Sequence, residues 1–177
     1  MTQTFSSLRV NSDRLLDSFN QLALIGGTAD SGVDRPTFSE AHLAARTWLR
    51  EHIEQSGFEF RADGAGNHSA VLPCADPNAP TLILGSHLDS VPNGGRFDGA
   101  LGVLAALEVL KTVRENRINL KVQLEAMDFT DEEGTLVGVL GSAALAGHLS
   151  KENLEKPRGG REKLVEGMMR AGLTDES

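Results

Sequence analysis

From Leu15 the apolar residues recur at Leu16, Phe19, Leu22 and Ala23, which places them on one face of a helix that Asn11 or Ser12 can cap. Gly26-Gly27 ends it, and the polar, turn-rich TADSGVDRPTF that follows reads as a surface loop or the rim of a site. Ser39 starts a second helix carrying Leu43, Ala44, Trp48, Leu49 and Ile53. His42 stands where a capping Glu or Gln would sit, and Gly57 suits the C-terminal cap. Polarity then alternates through FEFRAD and HSAVLP, two short strands joined by the turn GAGN. After the turn ADPNAP, TLILG has the unbroken apolar character of a strand at the centre of a sheet.

Gly99 to Arg114 returns to helical spacing through Leu101, Leu104, Ala105, Leu107 and Leu110. INLKVQLEAMDFT reads as a strand, GVLGSAALAGHLS as a turn plus helix, and KENLEK and REKLVEGMMRAGL as short amphipathic helices around the turn PRGG. The strand, helix, strand unit between Thr81 and Phe129 predicts a right-handed parallel crossover and hence an α/β fold.

Composition narrows this little. The 177 residues suffice for one domain with a real core, and 40% apolar with 24% charged content is ordinary for a soluble globular protein. With seven Phe, one Trp and no Tyr, the core rests on Leu, Val, Ile and Ala. The net charge of −8 and the scattered Lys and Arg argue against a nucleic-acid partner. Cys74 is the only cysteine, so no intramolecular disulfide forms, and it reads as a packing or surface residue. The N-terminus MTQTFSSLRVNSDRLLDSF lacks the apolar run of a signal peptide, and no window is apolar enough to span a membrane. The expectation is a cytoplasmic protein without membrane partners.

The candidate chemistry sits at strand ends. In open α/β sheets ligands gather beyond the carboxyl ends of strands. GSHLDS follows TLIL, and TDEEG follows VQLEAMDF. If these strands are parallel neighbours, His87, Asp98, Glu132 and Glu133 converge. A metal-bound imidazole usually donates its second N–H to a carboxylate or carbonyl, and Asp89 is placed for that task, although His-x-Asp alone is weak evidence. Asp98 reads either as an N-cap for the next helix or as a carboxylate bridging two ions. Glu132 and Glu133 read either as a solvated acidic turn with Asp131, or as a ligand beside a general base that faces a metal-bound water. Taken together, these residues favour a binuclear hydrolytic site for divalent ions, Zn²⁺ first and Mn²⁺ or Co²⁺ as alternatives. The absence of clustered Cys argues against a structural zinc.

GSHLDSVPNGGRFDGALGVLAALE and DFTDEEGTLVGVLGS, with GGTADSGVDRPTFSEAHLAARTWLREHIEQSGFEFRADGAGN upstream, resemble the M20 metallopeptidase-like amidohydrolases. Within them the similarity is to the branch of N-carbamoyl-L-amino acid hydrolase, β-ureidopropionase and allantoate amidohydrolase. The resemblance implies a three-layer zinc-aminopeptidase-like catalytic domain with a mixed, mostly parallel sheet between helices. It implies that His87 ligates one metal, Asp98 bridges both, Glu133 ligates the other, Glu132 is general base and proton shuttle, and Asp89 orients His87. The implied reaction is attack of metal-activated water on a carbamoyl or amide carbonyl, freeing CO₂, ammonia and an amino acid from an N-carbamoyl amino acid. Ser90 stands where the motif often has Thr, and Ala143 where many members carry Arg.

Members of that family are longer. They insert a lid or dimerisation domain and place a further His ligand near its start and another near the C-terminus, along with the main substrate-binding Arg residues. Residues 1–177 therefore correspond to the N-terminal portion of the catalytic domain, with the lid domain, the C-terminal catalytic segment and most substrate contacts expected beyond Ser177. A truncated sheet of this kind exposes an edge and an apolar face. His148 matches neither family ligand and reads as a helix-surface residue, and His42, His52 and His68 as packing or solvated ones. The partners expected are a small-molecule substrate and either a second copy or a complementing C-terminal chain. Two other readings remain: a non-catalytic fragment or interaction module derived from such an enzyme, and an M20-type aminopeptidase or dipeptidase.

Overall fold

The computed structural model describes residues 7–174; the reading of the N-terminus as free of a signal peptide falls partly on residues 1–6, outside the described ones. The chain folds as α1 (Ser12–Leu24), α2 (Glu40–Gln55), β1 (Glu59–Ala62), β2 (His68–Leu72), β3 (Thr81–Ser86), α3 (Ala100–Glu115), β4 (Gln123–Asp128), α4 (Leu140–Leu145), α5 (Lys151–Glu155) and α6 (Arg161–Arg170). Asn11 caps α1 by accepting from the Arg14 N–H, and Ser39 caps α2 by accepting from the His42 N–H. His42 Nδ1 in turn accepts from the Phe38 N–H at 2.9 Å, so the imidazole does the work of the Glu or Gln in a capping box, one residue earlier.

The strands form one mixed sheet of order β1-β2-β4-β3, the α/β class expected. β3 and β4 are parallel, joined through α3, whereas β1–β2 and β2–β4 are antiparallel. One pairing of three is thus parallel, where a mostly parallel sheet was expected. The β1–β2 turn is too short for anything but a hairpin. Among the described residues β3 lies at the end of the sheet, with β4 on one side only and Leu82 half exposed. An unbroken apolar run reports what covers the faces of a strand, not how many strands flank it, and among the described residues Leu82 is uncovered. β4 takes up only Gln123–Asp128 of the longer segment read as a strand; Ile118, Leu120 and Val122 pack on the core from irregular backbone.

The main core joins Phe19 and Leu22 of α1, Leu49 and Ile53 of α2, and Leu104, Leu107 and Leu110 of α3 to Ala70, Leu124 and Ala126 on one face of the sheet. A second cluster, Phe38, Leu136, Leu140 and Leu164, ties α4 and α6 to the loop before α2. No described helix is long and apolar enough to cross a membrane. Cys74 is free, and its thiol lies against the Asp76 carbonyl.

Three histidines are folded into this framework as neutral rings. Burial pushes His42 well below its ordinary value, His52 to about 4 and His68 to about 3, with nearby Arg or Lys charges adding to each shift. Well above pH 6.5 the folded and unfolded forms bind the same number of protons here. Below it the unfolded chain takes up protons that the native rings refuse, so stability falls as pH falls towards 4. Raised carboxyls at Asp89 and Asp128 act in the opposite sense, so the contribution is isolated by difference. In urea unfolding between pH 6.5 and 4.5, His68→Gln is expected to flatten the loss of stability by up to about 1.4 kcal/mol per pH unit. An unchanged slope would show that His68 is protonated in the native state.

Candidate metal centre at two parallel strand ends

The parallel register pairs Ser86 with Asp128, so GSHLDS and TDEEG leave the sheet from adjacent strand ends. His87 is buried, with Nδ1 2.9 Å from the backbone carbonyl of Asp89. A carbonyl only accepts, so Nδ1 carries a hydrogen, and in the neutral ring Nε2 keeps its lone pair. That lone pair faces acids: Glu132 Oε2 lies 3.4 Å from Nε2 and Asp98 Oδ1 3.8 Å. One ligand atom each from His87, Asp98 and Glu133 lies within 4.8 Å of the others. Glu132 and Glu133 are half-buried and the Asp98 side chain is exposed, so the group opens to solvent.

Asp98 is not a helix cap. The residue at the N-terminus of α3 is Gly99, with φ 61°, and no side chain caps the helix, so the Asp98 carboxylate is left for His87. Gly99 also makes the close approach feasible: a Cβ there would collide with the His87 backbone carbonyl and stand 2.5 Å from His87 Nδ1 and 2.6 Å from Cε1. Gly99→Ala is expected to push the imidazole away from Asp98 and Glu133 and weaken divalent-ion binding at least tenfold, read by calorimetry. Unchanged affinity would mean that the ring position does not matter to the group.

Asp89 works differently from expectation. It is its backbone carbonyl that receives the His87 N–H, while its carboxylate stays 3.7 Å from Nδ1. The fully buried carboxylate accepts instead from Thr37 Oγ1 (3.0 Å) and from the backbone N–H groups of Glu132 (3.3 Å) and Glu133 (3.1 Å). One residue thus orients the imidazole and fastens the acidic loop to the neighbouring strand end. Burial pushes the Asp89 carboxyl up, against the pull of His87 and of the hydrogen bonds from Glu133 and Thr37.

The acidic run is not a uniformly solvated turn either. Asp131 is buried at φ 54°, and its carboxylate collects the N–H groups of Leu136, Val137 and Gly138, closing the loop and directing the next two acids outward. The Glu133 carboxyl is raised, first by burial and further by the charges of Asp98, Glu132 and Asp89, with His87 pulling the other way. A cluster of mutually repelling carboxylates beside a lone-pair nitrogen is the donor set a divalent cation neutralises.

Several residues that hold this arrangement were not singled out from sequence. Asp128, fully buried, accepts from the Leu88 N–H at 2.8 Å and pairs with Arg46 Nε at 2.9 Å. Arg46 also donates to the Gly66 carbonyl and to Thr130 Oγ1. From the other side, buried Arg35 donates through Nε to the Leu88 carbonyl. Both backbone groups of the residue after His87 are therefore held by side chains. The signals were present but faint: an Arg inside the apolar stripe of α2, and an Asp ending the apolar run of β4. His148 is exposed just beyond α4, and His42, His52 and His68 lie outside the His87 group.

Residues 67–158 match the model for peptidase family M28, just over half of the chain. The sequence resemblance had named M20, whereas the matching model is M28. Among curated proteins, an N-carbamoyl-L-amino acid amidohydrolase from Geobacillus stearothermophilus is 37% identical over 166 residues, covering 93% of this chain and 41% of the relative. An allantoate amidohydrolase from Bacillus subtilis is 34% identical, covering 81% and 35%. Among solved structures, a hydantoinase/carbamoylase family amidase from Burkholderia ambifaria superposes with a TM-score of 0.86 at 33% identity, over 93% of this chain and 41% of that one. The chain spans about two fifths of the length of the curated relatives it matches. With its amidohydrolase relatives and a family model matched across both strand-end motifs, the chain belongs to peptidase family M28.

Proposed function

We propose that this chain supplies the metal-holding part of a metal-dependent amidohydrolase that cleaves the linear C–N bond of N-carbamoyl amino acids or related ureido compounds. Residues 1–177 form the N-terminal portion of its catalytic domain. The observation that carries the reading is the convergence of His87, Asp98 and Glu133 within 4.8 Å, with Glu132 beside them. The donor set fits a divalent ion: a lone-pair imidazole nitrogen, an uncapped carboxylate and a carboxylate pushed up by its neighbours. His87 and Glu133 would hold one ion each of a zinc pair, with Asp98 shared and the remaining ligands supplied from outside these residues. When bound, such ions polarise the carbonyl and make water a nucleophile at neutral pH.

The rest of the chemistry belongs to side chains. Glu132, within reach of the same space, accepts a proton from the attacking water at Oε2 and delivers it to the departing nitrogen. Asp89 keeps both glutamates in register with His87 throughout. Water adds to the carbamoyl carbon, the C–N bond to the amino acid breaks, and the carbamate released decomposes to CO₂ and ammonia. The protein works in the cytoplasm, on a small-molecule substrate.

A chimera in which this chain replaces the matched segment of the Geobacillus stearothermophilus relative tests the reading. Loaded with Zn²⁺ or Mn²⁺, it is expected to release ammonia from an N-carbamoyl-L-amino acid, to stop on chelation, and to leave a dipeptide intact. A folded, metal-loaded chimera that releases no ammonia, or prefers the dipeptide, overturns it.

A further inference from the structure

We propose that the cavity between α2, the β1–β2 hairpin and the end of α6 binds a small organic carboxylate bearing an apolar substituent. The cavity measures about 350 Å³ and contains none of the residues of the metal centre. Its twelve lining residues include three arginines and a histidine but no acid, in a chain whose net charge is −8.

The charges are gathered from two helices. Arg46 and Arg50 stand one turn apart on α2, an unfavourable like-charge arrangement on an isolated helix, and Arg170 faces them from the end of α6. Arg46 is balanced by Asp128, and Arg50 is paired with Glu54 where both side chains are about half exposed. Arg170 makes no ion pair among the described residues. Among the described residues the cavity therefore keeps the charge of Arg170 unbalanced. The same charges act on His68 in its wall, where Arg46 and Arg50 reinforce the effect of burial in keeping the imidazole neutral.

Guanidinium groups match carboxylate oxygens in pairs. Beside them Leu43 and Phe60 give an apolar wall, and the Arg50 guanidinium lies 5.1 Å over the Phe60 ring. An anion with a short branched hydrocarbon tail satisfies both surfaces at once, which a bare phosphate does not.

The test uses metal-free protein, so that binding at the His87 group is not mistaken for binding here. Isovalerate is titrated into ¹⁵N-labelled chain, with isovaleramide as the uncharged isostere and inorganic phosphate as the anion without a tail. The expected result is a saturable shift of amides in residues 43–50 and 171–173, at least tenfold weaker binding of the amide, and at least threefold weaker isovalerate binding in Arg170→Gln and in Arg50→Gln. Both arginine side chains are solvent-exposed, so these variants are expected to keep the fold. Equal binding of acid and amide, tighter binding of phosphate, no saturable shift, or no effect of either substitution would overturn the proposal.

Discussion

Glu132→Gln in the Geobacillus chimera is expected to lower kcat by about 10²- to 10⁴-fold, the usual contribution of a positioned general base. Bound metal per chain should not change. The amide keeps the shape and length of the carboxylate at the position 3.4 Å from His87 Nε2, and loses only the capacity to take a proton. Glu133→Gln one residue along is expected to lose metal instead, because Glu133 and not Glu132 shares the 4.8 Å group with His87 and Asp98. Kinetics and metal analysis of the two variants in parallel separate the roles. A Glu132→Gln chimera with full activity would mean that the proton goes elsewhere.

Arg46→Ala is expected to cost about 3–5 kcal/mol of stability, the range for breaking a buried ion pair by removing one partner. Asp128 would be left fully buried and charged, with the Leu88 N–H as its remaining hydrogen bond. Its carboxyl, already raised by burial, would lose the Arg46 charge that now pulls it down. Urea unfolding of Arg46→Ala, Asp128→Asn and the double variant reads this as a coupling: the double variant should be more stable than the sum of the single losses predicts. Additive losses would mean that the pair acts through packing alone. Since Asp128 also holds the backbone beside His87, weaker divalent-ion binding should accompany the loss of stability.

The two halves of the site differed in how readable they were. His87, Glu132 and Glu133 could be placed together because they directly follow strong apolar strands, with Asp98 in the connection from β3 to α3, and the main topological assumption was that the two strands are parallel neighbours. The α/β class followed from the same strand, helix, strand unit. What sequence did not disclose was which atom of a residue acts. Asp89 orients His87 through its carbonyl, and a backbone oxygen leaves no trace in residue type. Asp98 fitted a helix cap as well as a ligand, and the structure excludes the cap because Gly99 takes that position. Among the described residues β3 has a neighbour on one side only, which its apolar run does not reveal, because neighbour count in a sheet is a long-range property, whereas apolar character is local. Arg35 and Arg46 escaped notice since buried guanidinium groups are rare, and their partners lie tens of residues away in the chain.

The central claim is that His87, Asp98 and Glu133 are arranged to hold a divalent cation. The most direct measurement is a calorimetric zinc titration of the metal-free 177-residue chain beside His87→Ala, with bound metal counted after dialysis. The account predicts zinc retained through dialysis by the unaltered chain and lost from His87→Ala. No zinc retained by the unaltered chain, or equal retention by both, would contradict it.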